Sequence, residues 1–198
     1  MATIVYLVRH AHARWEASEE RPLSDQGRAA AADLAGWFGS TPIAAIYSSP
    51  ARRAIETIQP LADARGILPR IVPDLREREL VVGLGTTFEA AVEAAWRSPA
   101  TGSGGTESNR AAAARGIRAL QEIVSAHRDQ CVVVSTHGNL LALMLNSLDS
   151  SYGYETWRAL TFPDVYRLDF LEGAPTHVER VWGQRPNGGL RALSSRTE

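Results

Sequence analysis

Apolar residues in this chain fall into short unbroken runs that alternate with longer stretches of helical spacing. The first run, Ile4-Val5-Tyr6-Leu7-Val8, is β-favouring and nearly continuous, which predicts a strand buried on both faces. It ends at Arg9-His10-Ala11-His12-Ala13, and a polar loop follows to about Pro22. Ser24 has the chemistry of an N-cap, with Asp25 in the first turn behind it. The helix it opens is predicted to reach about Phe38, with Ala30, Leu34, Trp37 and Phe38 as its apolar stripe. Ile43 to Tyr47 repeats the strand pattern. Ser49 then reads as a second N-cap with Pro50 at the first helical position, and Ala54, Ile55, Ile58, Leu61 and Ala62 carry that helix to near Gly66.

From Ile71 to Gly85 the chain reads as extended or looping, with the charged patch Arg76-Glu77-Arg78-Glu79 inside it. A helix is expected over about Phe88 to Arg97, then a surface loop over Ser98 to Gly105. A long helix from about Glu107 to His127 would turn Ile117, Leu120 and Val124 inward. A strand from Cys131 to Ser135 leads through Thr136-His137-Gly138-Asn139 into a helix starting near Leu140. Two closing strands, Val165 to Leu171 and Val178 to Trp182, flank the turn Glu172-Gly173-Ala174-Pro175.

Strands alternating with helices of this length predict an α/β three-layer sandwich, a central, mostly parallel sheet flanked by helices. Residues 1–184 are expected to form one domain, because neither half has a complete core alone, and residues 185–198 a polar tail. In open sheets of this kind ligands bind at the carboxyl ends of the strands. Three strand-to-helix transitions deliver Arg9-His10, the turn bearing Arg53, and His137 to that edge.

Composition narrows the field. A length of 198 residues, 44% apolar and 22% charged, is that of a globular protein with a real core. A formal net charge of −1 supplies no basic field, so neither nucleic acid nor an anionic membrane is expected as a partner. Cys131 is the single cysteine, which excludes an internal disulfide and a cysteine zinc site; within Cys131-Val132-Val133-Val134 it reads as a small buried hydrophobe. Met1 to Tyr6 lacks the basic region and apolar stretch of a signal peptide, and no apolar run is long enough to span a bilayer, so a cytoplasmic location is expected.

The remaining residues carry chemistry. A phosphate dianion requires fixed donors with positive charge, and arginine forks at Arg9 and Arg53 fit it. His10 can attack phosphorus as a covalent nucleophile, and His137 can donate to phosphoryl oxygens in the transition state. Glu77 is a carboxylate able to protonate a departing oxygen.

Five motifs resemble, in order, those of the histidine phosphatase superfamily, also called phosphoglycerate mutase-like. Leu7-Val8-Arg9-His10 resembles its N-terminal arginine-histidine signature, and Tyr47 to Thr57 its second arginine motif, with Arg53 at the phosphate-binding position. Leu75-Arg76-Glu77 resembles the loop of the family's acid, Gly104-Gly105-Thr106-Glu107-Ser108 its glycine-glycine-glutamate-serine turn, and Val134 to Gly138 its second histidine motif. The resemblance implies a metal-independent phosphatase of the histidine acid type, with a phosphohistidine intermediate on His10 and Glu77 as proton donor. It implies His137 as a third catalytic group, Arg9, Arg53 and Gly138 around a small phosphorylated substrate, and no cofactor; His12 is a further candidate substrate contact from its place beside His10. A homodimer is compatible with it.

The departures from the family pattern favour hydrolysis over mutase activity. Ala11, His12 and Ala13 replace the usual glycine, acid or amide, and hydroxyl residue after the nucleophile. Glu16 follows Trp15 where mutases carry an asparagine, and a carboxylate there repels phosphate unless it points away. The loop from Arg14 to Pro22 is short. His12 reads equally as a substrate contact or a loop residue, Trp15 as pocket lining or a brace, and Glu79 competes with Glu77 as the acid. Arg52 reads as a solvated helix residue, Glu107 as a helix-start residue favoured by the dipole, and His127 and His177 as surface residues. Alternatives are mutase-type phosphoryl transfer, a protein phosphohistidine phosphatase and a non-catalytic phospho-ligand-binding regulator. A fourth is a three-histidine zinc hydrolase built on His10, His12 and His137, which the charges of Arg9 and Arg53 oppose.

Overall fold

The structure, a computed structural model, describes residues 2–15, 20–102 and 106–183. Glu16, Gly104, Gly105 and the tail 185–198 lie outside them.

Among the described residues six strands form one sheet: β1 (Thr3–Arg9), β2 (Ala45–Ser48), β3 (Arg70–Ile71), β4 (Cys131–Thr136), β5 (Asp164–Leu171) and β6 (Ala174–Arg180). Their order is β3-β2-β4-β1-β5-β6. The first four are mutually parallel, and β5 and β6 run antiparallel at one edge. The helices are α1 (Asp25–Phe38), α2 (Arg52–Arg65), α3 (Phe88–Arg97), α4 (Asn109–Ala126), α5 (Gly138–Leu148) and α6 (Tyr154–Ala159). A three-residue 3₁₀ turn spans Pro73–Leu75.

The period-two geometry of the strands sorts the core into two layers. Val5 and Leu7 of β1, with Val132 and Val134 of β4, pack against α4 and α5 through Leu120, Val124, Leu140 and Met144. Tyr6, Val8, Ile46 and Val133 face the other way, onto Leu34 and Phe38 of α1 and Ile58 and Leu61 of α2. Both faces of the central strands are therefore covered, which is why they read as unbroken apolar runs. Cys131 is buried in the second layer, and burial pushes its thiol up to about 11, so it behaves as a hydrophobe.

Ser24 caps α1 as expected, its Oγ accepting the Gly27 N–H at 3.0 Å. At Gly27 the helix meets the loop after β1 so closely that a Cβ would lie 2.0 Å from the His12 carbonyl oxygen.

Several boundaries differ from the sequence reading. Ser49 is not the N-cap of α2: the helix begins at Arg52 behind Ala51, and Ser49 is spent on His137. Helix α5 begins at Gly138, two residues before Leu140, and β6 begins at Ala174, so the closing turn is only Glu172-Gly173. Glu107 precedes α4, which Ser108 caps, and pairs with buried Arg115 instead of the helix terminus. His127 is buried, with Tyr47 Oη 2.8 Å from its Nε2 and Gln130 Oε1 2.9 Å from its Nδ1. Helix α6 carried no sequence signal.

Candidate active site

Because β4 lies between β1 and β2, the loops leaving all three strands are neighbours. The pairing continues past the strands: His10 N–H donates to the Thr136 carbonyl and Ser49 N–H to the Ser135 carbonyl, both at 3.0 Å. His10, Ser49 and His137 thus leave the sheet side by side.

The His10 ring is oriented by its own loop. Nδ1 lies 2.7 Å from the Ala11 carbonyl oxygen, which can only accept, so Nδ1 carries the proton and Nε2 the lone pair. Arg53 Nε lies 3.3 Å from that Nε2. Burial lowers the His10 pKa to about 3, the Ala11 bond opposes this, and the Arg53 and Arg9 charges add to the lowering. At neutral pH His10 is a neutral imidazole beside a guanidinium. The Thr57 hydroxyl locks this arrangement, accepting the Ala11 N–H at 2.9 Å and donating to the Arg53 carbonyl at 2.7 Å.

His137 is fully buried, its ring centroid 5.2 Å from that of His10. Burial, then the repulsion that a protonated His10 would exert and the Arg53 charge, hold its pKa well below the ordinary histidine value. Ser49 Oγ accepts the Ala51 N–H at 3.1 Å and sits 2.7 Å from His137 Nε2. With the hydroxyl proton given to Nε2, the ring proton resides on Nδ1, which has no partner among the described residues.

Arg9 is half-buried beneath the segment Leu160 to Phe162. Nη1 donates to the Leu160 carbonyl at 2.9 Å, and the guanidinium carbon lies 3.5 Å from the centroid of the Phe162 ring. Burial lowers its pKa to about 10, against the charges of Glu77 and Asp164, and it remains a cation at neutral pH. Gly138 lies on its other side, where a Cβ would come within 3.0 Å of Arg9 Nε. The role of Gly138 is therefore to make room for Arg9.

Glu77 reaches the first turn of α5. Its Oε2 accepts the Asn139 N–H at 3.1 Å, and its Oε1 accepts the Leu140 and Arg78 N–H groups at 3.0 and 2.8 Å. A carboxylate there satisfies donors that a helix N-terminus otherwise leaves open, and it lies beside the His137 loop. Glu79, the competing acid, is exposed.

Arg115 was missed by the sequence reading. Its Nη1 donates to the Asp74 and Arg76 carbonyls at 2.7 and 2.8 Å, and its Nη2 to the Glu77 carbonyl at 3.1 Å. Glu107 receives its Nε and Nη2 at 2.6 and 2.7 Å. Glu107 thus anchors the arginine that shapes the Glu77 loop. Its carboxyl is held below the usual range: burial raises the pKa, and the Arg115 bond and charge outweigh it. Arg21 was also missed; its charge acts on both His10 and His137, and only its place in the loop after the nucleophile hinted at it.

His12 is exposed, with Nδ1 2.8 Å from Ser24 Oγ, and its ring lies 6.1 Å from Phe162. It does not join His10 and His137 as a third ligand, and among the described residues no three His, Cys, Asp or Glu side chains converge as a metal site. Trp15 is 87% exposed, with the Arg21 guanidinium 5.4 Å above its ring. Arg52 is exposed and pairs with Glu56 at 2.7 Å. No helix among the described residues is long and apolar enough to cross a membrane.

The family model described as histidine phosphatase superfamily (branch 1) matches residues 5–181. Phosphoglycerate mutase-like protein 4 of Arabidopsis thaliana is 30% identical over 196 residues, covering 90% of this chain and 84% of that protein. A metal-independent phosphoserine phosphatase of the same plant is 32% identical over 158 residues, covering 70% and 66%. The structure of a mycobacterial glucosyl-3-phosphoglycerate phosphatase shares the fold with a TM-score of 0.71, at 24% identity over 91% of this chain and 97% of that one.

Proposed function

As this chain belongs to the histidine phosphatase superfamily, we propose that it hydrolyses phosphate monoesters of small molecules, without a metal, through a phosphohistidine on His10. The observation that carries this reading is the state of His10: neutral, with its proton committed to Ala11 and its Nε2 lone pair beside Arg53. That nitrogen attacks phosphorus in line as the bond to the ester oxygen breaks. Glu77 gives a proton to the departing oxygen, and the alcohol leaves. Water then attacks the phosphohistidine, Glu77 takes its proton, the N–P bond breaks, and neutral His10 and inorganic phosphate result.

Arg9, Arg53 and Nδ1–H of His137 serve as donors to the non-bridging oxygens, whose charge the buried site cannot leave uncompensated. Hydrolysis is favoured over mutase chemistry by the departures after His10, and the relative named a metal-independent phosphoserine phosphatase supports hydrolysis without a metal. The test is p-nitrophenyl phosphate turnover by wild type and His10→Ala, with and without EDTA. Turnover that resists EDTA and disappears in the variant supports the reading, and EDTA-sensitive turnover overturns its metal-free form.

A further inference from the structure

Phe162 is a large apolar side chain left 43% exposed directly beside the proposed nucleophile. Its ring centroid lies 5.5 Å from that of His10 and 6.1 Å from that of His12, the latter nearly perpendicular at 86°. The segment carrying it is fixed on both sides. Arg9 Nη1 holds the Leu160 carbonyl from below, and Asp164 Oδ2 accepts the Thr161 N–H at 2.8 Å. Asp164 itself is fully buried and paired with Arg180 at 2.7 Å. This is a rigid aromatic surface, built at the mouth of the site.

One face of the ring is already occupied, since the Arg9 guanidinium lies 3.5 Å from its centroid. The remaining 43% of the residue is left for a ligand to cover. A phosphoryl group held by Arg9, Arg53, His10 and His137 must send its ester group outward, past Phe162 and the exposed His12. Both are flat rings. A cation behind an aromatic ring draws electron density from its open face, which favours a neutral π-system there and disfavours a second cation.

We propose that Phe162, with His12 as a side wall, is a leaving-group subsite for esters whose phosphate is carried within one or two bonds of a neutral planar ring. The proposal rests on the phosphatase reading and narrows its substrate class to aryl and arylmethyl phosphates over aliphatic and ammonium-bearing ones. Stacking of one ring on another contributes a preference of about three- to tenfold over an aliphatic group of equal size.

The test separates binding from chemistry by using non-hydrolysable probes. Benzylphosphonate and cyclohexylmethylphosphonate have similar size and charge and differ in ring aromaticity. Their dissociation constants are measured calorimetrically with wild type, Phe162→Leu and Phe162→Ala, alongside inorganic phosphate as a reading of the Arg9 site. Wild type binds the benzyl compound about three- to tenfold more tightly. Phe162→Leu, which keeps apolar bulk and so the fold, removes that preference, and dividing by phosphate affinity cancels any disturbance of Arg9. Equal binding of the two probes by wild type, or a preference that survives in Phe162→Leu, overturns the proposal. Since no turnover is needed, metal-free hydrolysis without ring preference sinks only this inference, whereas ring preference without hydrolysis sinks only the catalytic reading.

Discussion

Replacing Gly138 with alanine places a methyl group 3.0 to 3.1 Å from Nε, Cζ and Nη2 of Arg9. Ordinary carbon contacts lie near 3.5 Å, so the guanidinium must retreat by about half an ångström. It has little room, because Phe162 is 3.5 Å away on one side and Nη1 is tied to the Leu160 carbonyl at 2.9 Å. Misplacing a catalytic donor by about 1 Å costs on the order of a hundredfold in rate, and losing one outright about 10² to 10³. Half that displacement predicts a fall in kcat/KM of about tenfold. Stability should fall by about 0–3 kcal/mol: overpacking costs about 1–3 kcal/mol, offset at most by about 1 kcal/mol of alanine's helix preference, which is weak at the first residue of α5. The assay is p-nitrophenyl phosphate turnover, paired with a urea unfolding midpoint. A folded Gly138→Ala enzyme within twofold of wild type would refute the claim that Gly138 is there to admit Arg9.

The other predictions use separate parts of the site. His10 stays unprotonated in the folded state down to about pH 3, whereas the unfolded chain protonates it near 6.5, so its share of stability is lost as pH falls through that window. Between pH 7 and 4.5 the loss is about 3 kcal/mol, read as a smaller acid shift of the urea midpoint in His10→Asn than in wild type; equal shifts would contradict the buried neutral ring. Glu77→Ala should slow alkyl phosphates far more than p-nitrophenyl phosphate, whose leaving group needs little protonation, and equal losses would count against the acid role. Arg115→Met should lower kcat while leaving inorganic phosphate affinity nearly unchanged, because it frees the Glu77 loop and not the phosphate donors. A large loss of phosphate affinity would place Arg115 elsewhere in the mechanism.

What the sequence made legible were features with local causes. Ser24 caps α1 within three residues of itself, and α3 starts and ends where its pattern does, at Phe88 and Arg97. The unbroken runs of β1 and β4 announced strands covered on both faces, and the ends of those strands located His10 and His137. The failures have distant causes. Ser49 looks like a cap but is diverted to His137, 88 residues away. Helix α5 has no local cap signal because Glu77 supplies it from 62 and 63 residues upstream. His127 looked like a surface residue because its partner Tyr47 is 80 residues distant. Helix α6 buries no residue, so it has no apolar stripe to read. Arg115 sits among apolar helix positions, and only the fold brings Glu107 and the Glu77 loop to it.

The central claim is that His10 carries the phosphoryl group between substrate and water. Rapid mixing with a ³²P-labelled aryl phosphate, followed by an alkaline quench, traps such an intermediate directly. The account predicts a transient protein-bound label that resists alkali, is released by acid, maps to the peptide containing His10 and is missing from His10→Ala. Hydrolysis at the wild-type rate with no label above background, or a label that persists in His10→Ala, would contradict it.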